Sequence, residues 1–118
     1  MGIQVHFLDA ATLEKAKHFD IAIYPGDKVG CDKLNSTNYS SSGPYAGDLV
    51  GVYPISIETS EKRGIVEKLP EGNNLVLYFL ALESVGNNKN PIAEGCVSGV
   101  TLKTGEIVPV EVTLKTLP

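Results

Sequence analysis

The chain has no tryptophan, one methionine, two histidines and two cysteines among its 118 residues. His6, His18, Cys31 and Cys96 are too far apart to make any of the close spacings that hold zinc, and no CxxC pair is present. Long apolar runs are missing as well. The longest, Leu75 to Leu82, is strand length and far short of the ~20 residues that a membrane-spanning helix requires. Basic charge is also scarce. Ten Lys and Arg against fourteen Asp and Glu leave a net charge of −4, and no basic cluster exists to grip a phosphate backbone, which argues against nucleic acid as a partner. The start, Met1-Gly2-Ile3-Gln4-Val5-His6, has no basic n-region and no signal-peptide core. His6 stands where a myristoylation motif needs Ser or Thr.

What is abundant points to strands. Val, Ile and Thr number 27 against 19 for Leu and Ala, and Gly and Pro add another 19, too many turn-formers for a helical bundle. At 20% charge and 42% hydrophobic content, neither a coiled coil nor a disordered tail fits. The length suits one domain, residues 1–118, with no linker and no internal repeat.

Periodicity places the elements. Ile3, Val5 and Phe7 alternate with Gln4 and His6, a half-buried strand. Residues 10–17 (AATLEKAK) are the only helix-compatible stretch, with room for one short helical turn at most. Phe19, Ile21 and Ile23 share a face of the next strand, which Pro25-Gly26-Asp27 closes. Residues 32–48, rich in Ser, Asn and Gly, read as a long loop, a feature that is often functional. Residues 49–58 form a strand that Pro54 confines to an edge or a bulge. Residues 63–69 are a short strand ending in a Leu69-Pro70-Glu71-Gly72 turn, and 75–82, apolar on both faces, is a central strand. A turn at 86–91 leads into a strand at 92–102, and Lys103-Thr104-Gly105-Glu106 reads as a tight hairpin connection. The last strand turns Val108, Val110, Val112 and Leu114 inward. About seven strands with turns at short intervals predict an all-β fold, an antiparallel β-sandwich.

Cys31 and Cys96 admit two readings. They are either buried thiols acting as small hydrophobes or a disulfide, and small exported domains often carry one. Closing so long a loop would stabilise the fold by roughly 4 kcal/mol at best. The expectation is a Cys31–Cys96 bridge and, with it, an exported protein.

No catalytic constellation emerges. Gly95-Cys96-Val97-Ser98-Gly99 fails the spacing of a nucleophile elbow, and no glycine group forms a phosphate loop. A cysteine nucleophile would need His6 or His18 to approach Cys31 or Cys96 in space, and the favoured reading of each histidine is a solvent-facing strand or loop residue. Asp27/Asp32 and Glu58/Glu61 are carboxylate pairs in ordinary polar turns. Asn73, Asn74, Asn87, Asn88 and Asn90 read as turn formers rather than calcium ligands, since no EF-hand spacing accompanies them. The sequence therefore predicts no enzyme, no metal and no cofactor. The best candidate contact surface is 38–53, where Tyr39, Tyr45 and Tyr53 alternate with Ser and Gly in the manner of a paratope. The competing reading is that these rings pin the loop onto the edge of the fold.

Leu69-Pro70-Glu71-Gly72, the strand ending Ala81-Leu82-Glu83, Ile92-Ala93-Glu94-Gly95-Cys96 and the closing 105–114 segment together resemble a bacterial type. It is the immunoglobulin-like or transthyretin-like β-sandwich of exported and outer-surface lipoproteins, and 23–31 resembles its first-cysteine region. The resemblance implies a fold and a compartment: periplasm, outer surface or extracellular space. It implies no activity. No lipidated cysteine stands near the start, so the expectation is that any anchor lay upstream of residue 1 and was the sole link to a membrane. The function expected is a non-enzymatic envelope or secreted module. The alternative is an accessory domain that binds a carbohydrate or peptide through residues 38–53, with an extracellular protein or a glycan as partner.

Overall fold

The computed structural model describes residues 2–7, 18–35, 45–56, 63–67, 69–85 and 88–116. The helical turn expected at 10–17 lies outside them. Among the described residues the chain is mostly strand, with 3-10 turns at Cys31–Lys33 and Ala46–Asp48. The described residues form eight strands: β1 Gly2–Phe7, β2 His18–Pro25, β3 Gly51–Ser56, β4 Arg63–Glu67, β5 Gly72–Val85, β6 Asn88–Leu102, β7 Ile107–Val112 and β8 Lys115–Thr116. They form a three-stranded sheet of order β4-β1-β7 and a five-stranded sheet of order β3-β2-β5-β6-β8.

β5 is the middle of the larger sheet, and its sequence explains why. Leu75, Leu77, Phe79 and Ala81 point to one face while Val76, Tyr78, Leu80 and Leu82 point to the other, and all eight are buried. Only a strand with neighbours on both sides and cover on both faces can hide so continuous an apolar run. The first set joins Phe19, Ile21 and Ile23 of β2, Val66 of β4, and Val110 and Val112 of β7 in a core shared by both sheets. The second set builds a separate cluster on the outer face of the larger sheet.

Pro54 falls where a proline can be tolerated. β3 is the edge of its sheet, so a missing N–H breaks no second ladder. Pro109 lies in β7, which among the described residues pairs with β1 alone. Pro91 is a correction to the sequence reading, because residues 88–91 belong to β6 rather than to a turn. Val85 pairs with Asn88, Glu83 with Asn90, and Leu82 with Pro91. β8 pairs with β6 at Ala93 and Glu94, short of Pro91, which is exposed. Further along β6 the register slips where Val97 pairs with Leu77 and Val100 with Leu75. The extra residue forms a bulge that is accommodated by Gly99 at φ 69, a conformation that costs other residues energy.

The 103–106 segment is the second correction. It makes the expected turn, with Glu106 N–H donating to the Lys103 carbonyl at 3.2 Å. The strands it joins do not pair with each other, however. β6 belongs to the five-stranded sheet, and β7 crosses to the other sheet to lie parallel to β1, from Gly2↔Ile107 to Phe7↔Val112. After Val112 the chain crosses back, and β8 pairs with β6. Gly95 makes room for that crossing. A Cβ there would sit 2.7 Å from Val112 Cγ1 and 2.8 Å from the Thr113 carbonyl oxygen. Of the four residues expected inward, Val110, Val112 and Leu114 are buried and Val108 is half-buried, while Glu111, Thr113 and Lys115 are exposed; Leu114 lies beyond the end of β7.

Candidate functional site

Three of the residues singled out in the sequence, Cys31, Cys96 and Tyr45, meet on the outer face of the five-stranded sheet. Along β2 and β5 this face carries Ala22, Tyr24, Val76, Tyr78, Leu80 and Leu82. An outer sheet face this apolar must be covered. Val29 and Leu34, from the segment that follows β2, are buried in the cluster, and Tyr45, Leu49 and Val52 pack against it half-buried. The Gly26 N–H donates to the Asn74 carbonyl and the Val50 N–H to the Ile23 carbonyl, each at 2.8 Å. These two bonds tie connecting segments down beside the strands.

The bridge is part of this cover. Cys31, in a 3-10 turn, is joined to Cys96 of β6 with an S–S distance of 2.10 Å and Cα atoms 5.7 Å apart. That Cα separation is within the ordinary disulfide range. Both cysteines are half-buried against the outer cluster. Their sulfurs are bonded to each other, so neither is a thiol nucleophile. Cys96 stands directly opposite Tyr78, and the Tyr78 hydroxyl reaches diagonally to donate to Glu94 Oε2 at 3.0 Å. Tyr78 thereby buries a large ring and keeps its polar tip satisfied. Tyr24 is wholly buried on the same face, and that burial pushes its phenol above the usual tyrosine pKa.

The three candidate contact tyrosines do not form one surface in the described structure. Tyr39 lies outside the described residues. Tyr45 packs against the outer cluster, whereas Tyr53 packs against the core between the sheets. Tyr53 also folds back over the edge strand. A Cβ built on Gly51 would lie 2.7 Å from the Tyr53 hydroxyl oxygen and 2.9 Å from the ring, so the ring occupies the space that a side chain at 51 would fill. An aromatic laid over an edge glycine shields backbone that would otherwise be open to water.

The remaining polar candidates are dispersed. Asp27 and Asp32 are exposed, His18 is half-buried in β2, and Glu58 and Glu61 lie outside the described residues. Asn74 stands at φ 51 where the β5–β6 register shifts, a backbone role suited to asparagine. Among the described residues no group of three His, Cys, Asp or Glu side chains is placed to hold a metal ion. Sequence reasoning missed Val29 and Leu34, the residues that seal the outer face. Both are isolated apolar residues in polar surroundings, so no periodicity marks them. No protein-family model matches this chain, and comparison with curated proteins and with solved structures likewise finds no match.

Proposed function

We propose that this chain is a non-enzymatic β-sandwich module of an exported protein, of the kind that surface lipoproteins carry, acting in the cell envelope or outside the cell. The observation that carries the reading is the Cys31–Cys96 bridge. Structural disulfides persist in oxidising compartments and are rare where glutathione and thioredoxin keep thiols reduced. The bridge joins segments 65 residues apart, so it restrains a large loop of the unfolded chain.

Two sheets enclosing one core support the sandwich part of the proposal. Of the two sandwich types named above, the transthyretin-like one is favoured by the strand pairing. The immunoglobulin constant arrangement puts the first, second, fifth and fourth strands on one sheet and the third, sixth and seventh on the other. Here the first strand lies between the fourth and seventh, and the second between the third and fifth. The partner class that accompanies this reading is an extracellular protein or a glycan.

The test combines cell fractionation with thiol chemistry on the full-length protein in its own cells. Samples are trapped with an alkylating reagent before lysis, and the intact mass is then read without reduction. The expected result is protein in an envelope or extracellular fraction, unalkylated and two hydrogens lighter than the reduced chain. Doubly alkylated protein in the cytosolic fraction would overturn the proposal.

A further inference from the structure

We propose that β4 is a self-recognition edge, through which a second copy of this chain extends the three-stranded sheet and forms an antiparallel, two-fold dimer. The inference depends neither on export nor on the bridge.

The edges of the two sheets are finished differently. An edge strand presents a row of unpaired N–H and C=O groups, and prolines, bulges and very short strands guard against chance pairing there. β3, at one side of the five-stranded sheet, carries Pro54, and Tyr53 folds over Gly51. At the other side β8 is two residues long, and the stretch of β6 beyond it is broken by the bulge at Gly99. In the three-stranded sheet β7 carries Pro109. β4 has none of these devices. Its five residues, Arg63-Gly64-Ile65-Val66-Glu67, contain no proline and pair with β1 in unbroken register from Glu67↔Gly2 to Arg63↔His6. Among the described residues β1 is its one neighbour in the sheet. Alternate N–H and C=O groups of a strand paired in this way point away from that neighbour. Of the edges formed by the described residues, β4 is therefore the one that offers a regular row of such groups.

Charge complementarity within β4 names the occupant. A self-pairing needs a two-fold axis. An axis perpendicular to the sheet sets two copies of β4 antiparallel and turns their inner faces, where Val66 joins the inter-sheet core, to the same side. Passed through Ile65, that axis overlaps all five residues. Ile65 then meets its own copy, Gly64 meets Val66, and Arg63 meets Glu67 twice. Opposite charges at directly opposed positions favour an antiparallel pair, and like charges disfavour it. One step further out Lys62 would meet Lys68, so the favourable overlap ends where β4 ends. The product is a continuous sheet of order β7-β1-β4-β4-β1-β7. So short an overlap buries far less than the roughly 1,200–2,000 Å² of a stable complex, which makes the dimer weak and concentration-dependent.

The test is sedimentation velocity on the full chain from micromolar to near-millimolar concentration, with amide hydrogen exchange at both extremes. The expected result is a monomer–dimer equilibrium that weakens with added salt. Exchange should slow at high concentration at the β4 amides not bonded to β1, and not in β3 or β7. Arg63→Glu and Glu67→Arg should each raise the dissociation constant about tenfold, since each turns both opposed pairs into like charges. Mixed together, the two variants should form a heterodimer of near-native strength, because every Glu then faces an Arg again. A native chain that stays monomeric throughout would overturn the proposal. Full protection of every β4 amide at the lowest concentration would also overturn it, because the chain's own residues would then occupy the edge. A dimer indifferent to both charge reversals, or one that protects β3 or β7 instead, would put the contact elsewhere and overturn it too. The exchange reading needs the native chain alone, so it decides the matter even where a variant fails to fold.

Discussion

The two faces of the five-stranded sheet are buried by different means. Phe19, Ile21, Ile23, Leu77 and Phe79 are covered by a second sheet, through Val66, Val110 and Val112 on strands that themselves belong to hydrogen-bonded ladders. Ala22, Tyr24, Val76 and Tyr78 are covered by connecting segments, through Val29 and Leu34 and with help from Tyr45 and Leu49. A strand held in a ladder cannot leave without breaking its neighbours' hydrogen bonds as well. The connecting segments belong to no ladder, and on that side a covalent bond joins one of them to β6. Similar apolar burial is therefore reached on one face by laddered strands and on the other by connecting segments and a bridge.

The largest expected effect lies on the inter-sheet face. Phe79→Ala removes a fully buried ring from the middle of the central strand and should cost about 3–5 kcal/mol. Urea unfolding followed by fluorescence and by circular dichroism should shift together; separate transitions would mean that the two faces already behave as independent units. Leu34→Ala is the matching cut on the outer face. It should cost about 2 kcal/mol, the low end for such a truncation, because a turn can settle into the space more readily than a strand. With the bridge intact its effect on hydrogen exchange should be confined to 26–35, and a change spread over β1 and β7 would erase the contrast.

The smallest effect is a matter of pH. Burial raises the Tyr24 phenol, so the folded state keeps its proton at a pH where the unfolded chain has lost it. Stability from this group is whole below about pH 10, the ordinary tyrosine value, and falls as the pH rises from there toward the folded value. One proton limits the slope to about 1.4 kcal/mol per pH unit. Urea midpoints at pH 9, 10 and 11 should fall less steeply for Tyr24→Phe than for the native chain. Parallel curves would show that the outer face admits water at Tyr24.

Much of the fold was readable because it depends on local chemistry. Eight apolar residues in a row from Leu75 give a strand buried on both faces, and that holds wherever the strand is placed. Pro54 marks an edge because it lacks an N–H. The alternation of Val110, Val112 and Leu114 with Glu111, Thr113 and Lys115 assigns inside and outside without reference to a partner. The candidate surface was less readable. Tyr45 and Tyr53 look alike in a Ser- and Gly-rich sequence, yet they pack against opposite faces of the same sheet.

The sequence by itself determined the β-rich class, most strand positions and the chemical feasibility of one bridge, since each follows from side-chain period, turn chemistry and the presence of two cysteines. The tertiary structure alone decided which strands meet. Turn chemistry at 103–106 reverses the chain but cannot say whether the next strand returns to its own sheet or crosses to the other. Pairing β7 with β1 brings together the two ends of the chain, and isolated Val29 and Leu34 gain meaning only over a face formed by β2 and β5. Such choices are governed by the area that distant segments bury together, a quantity that no local window of sequence contains.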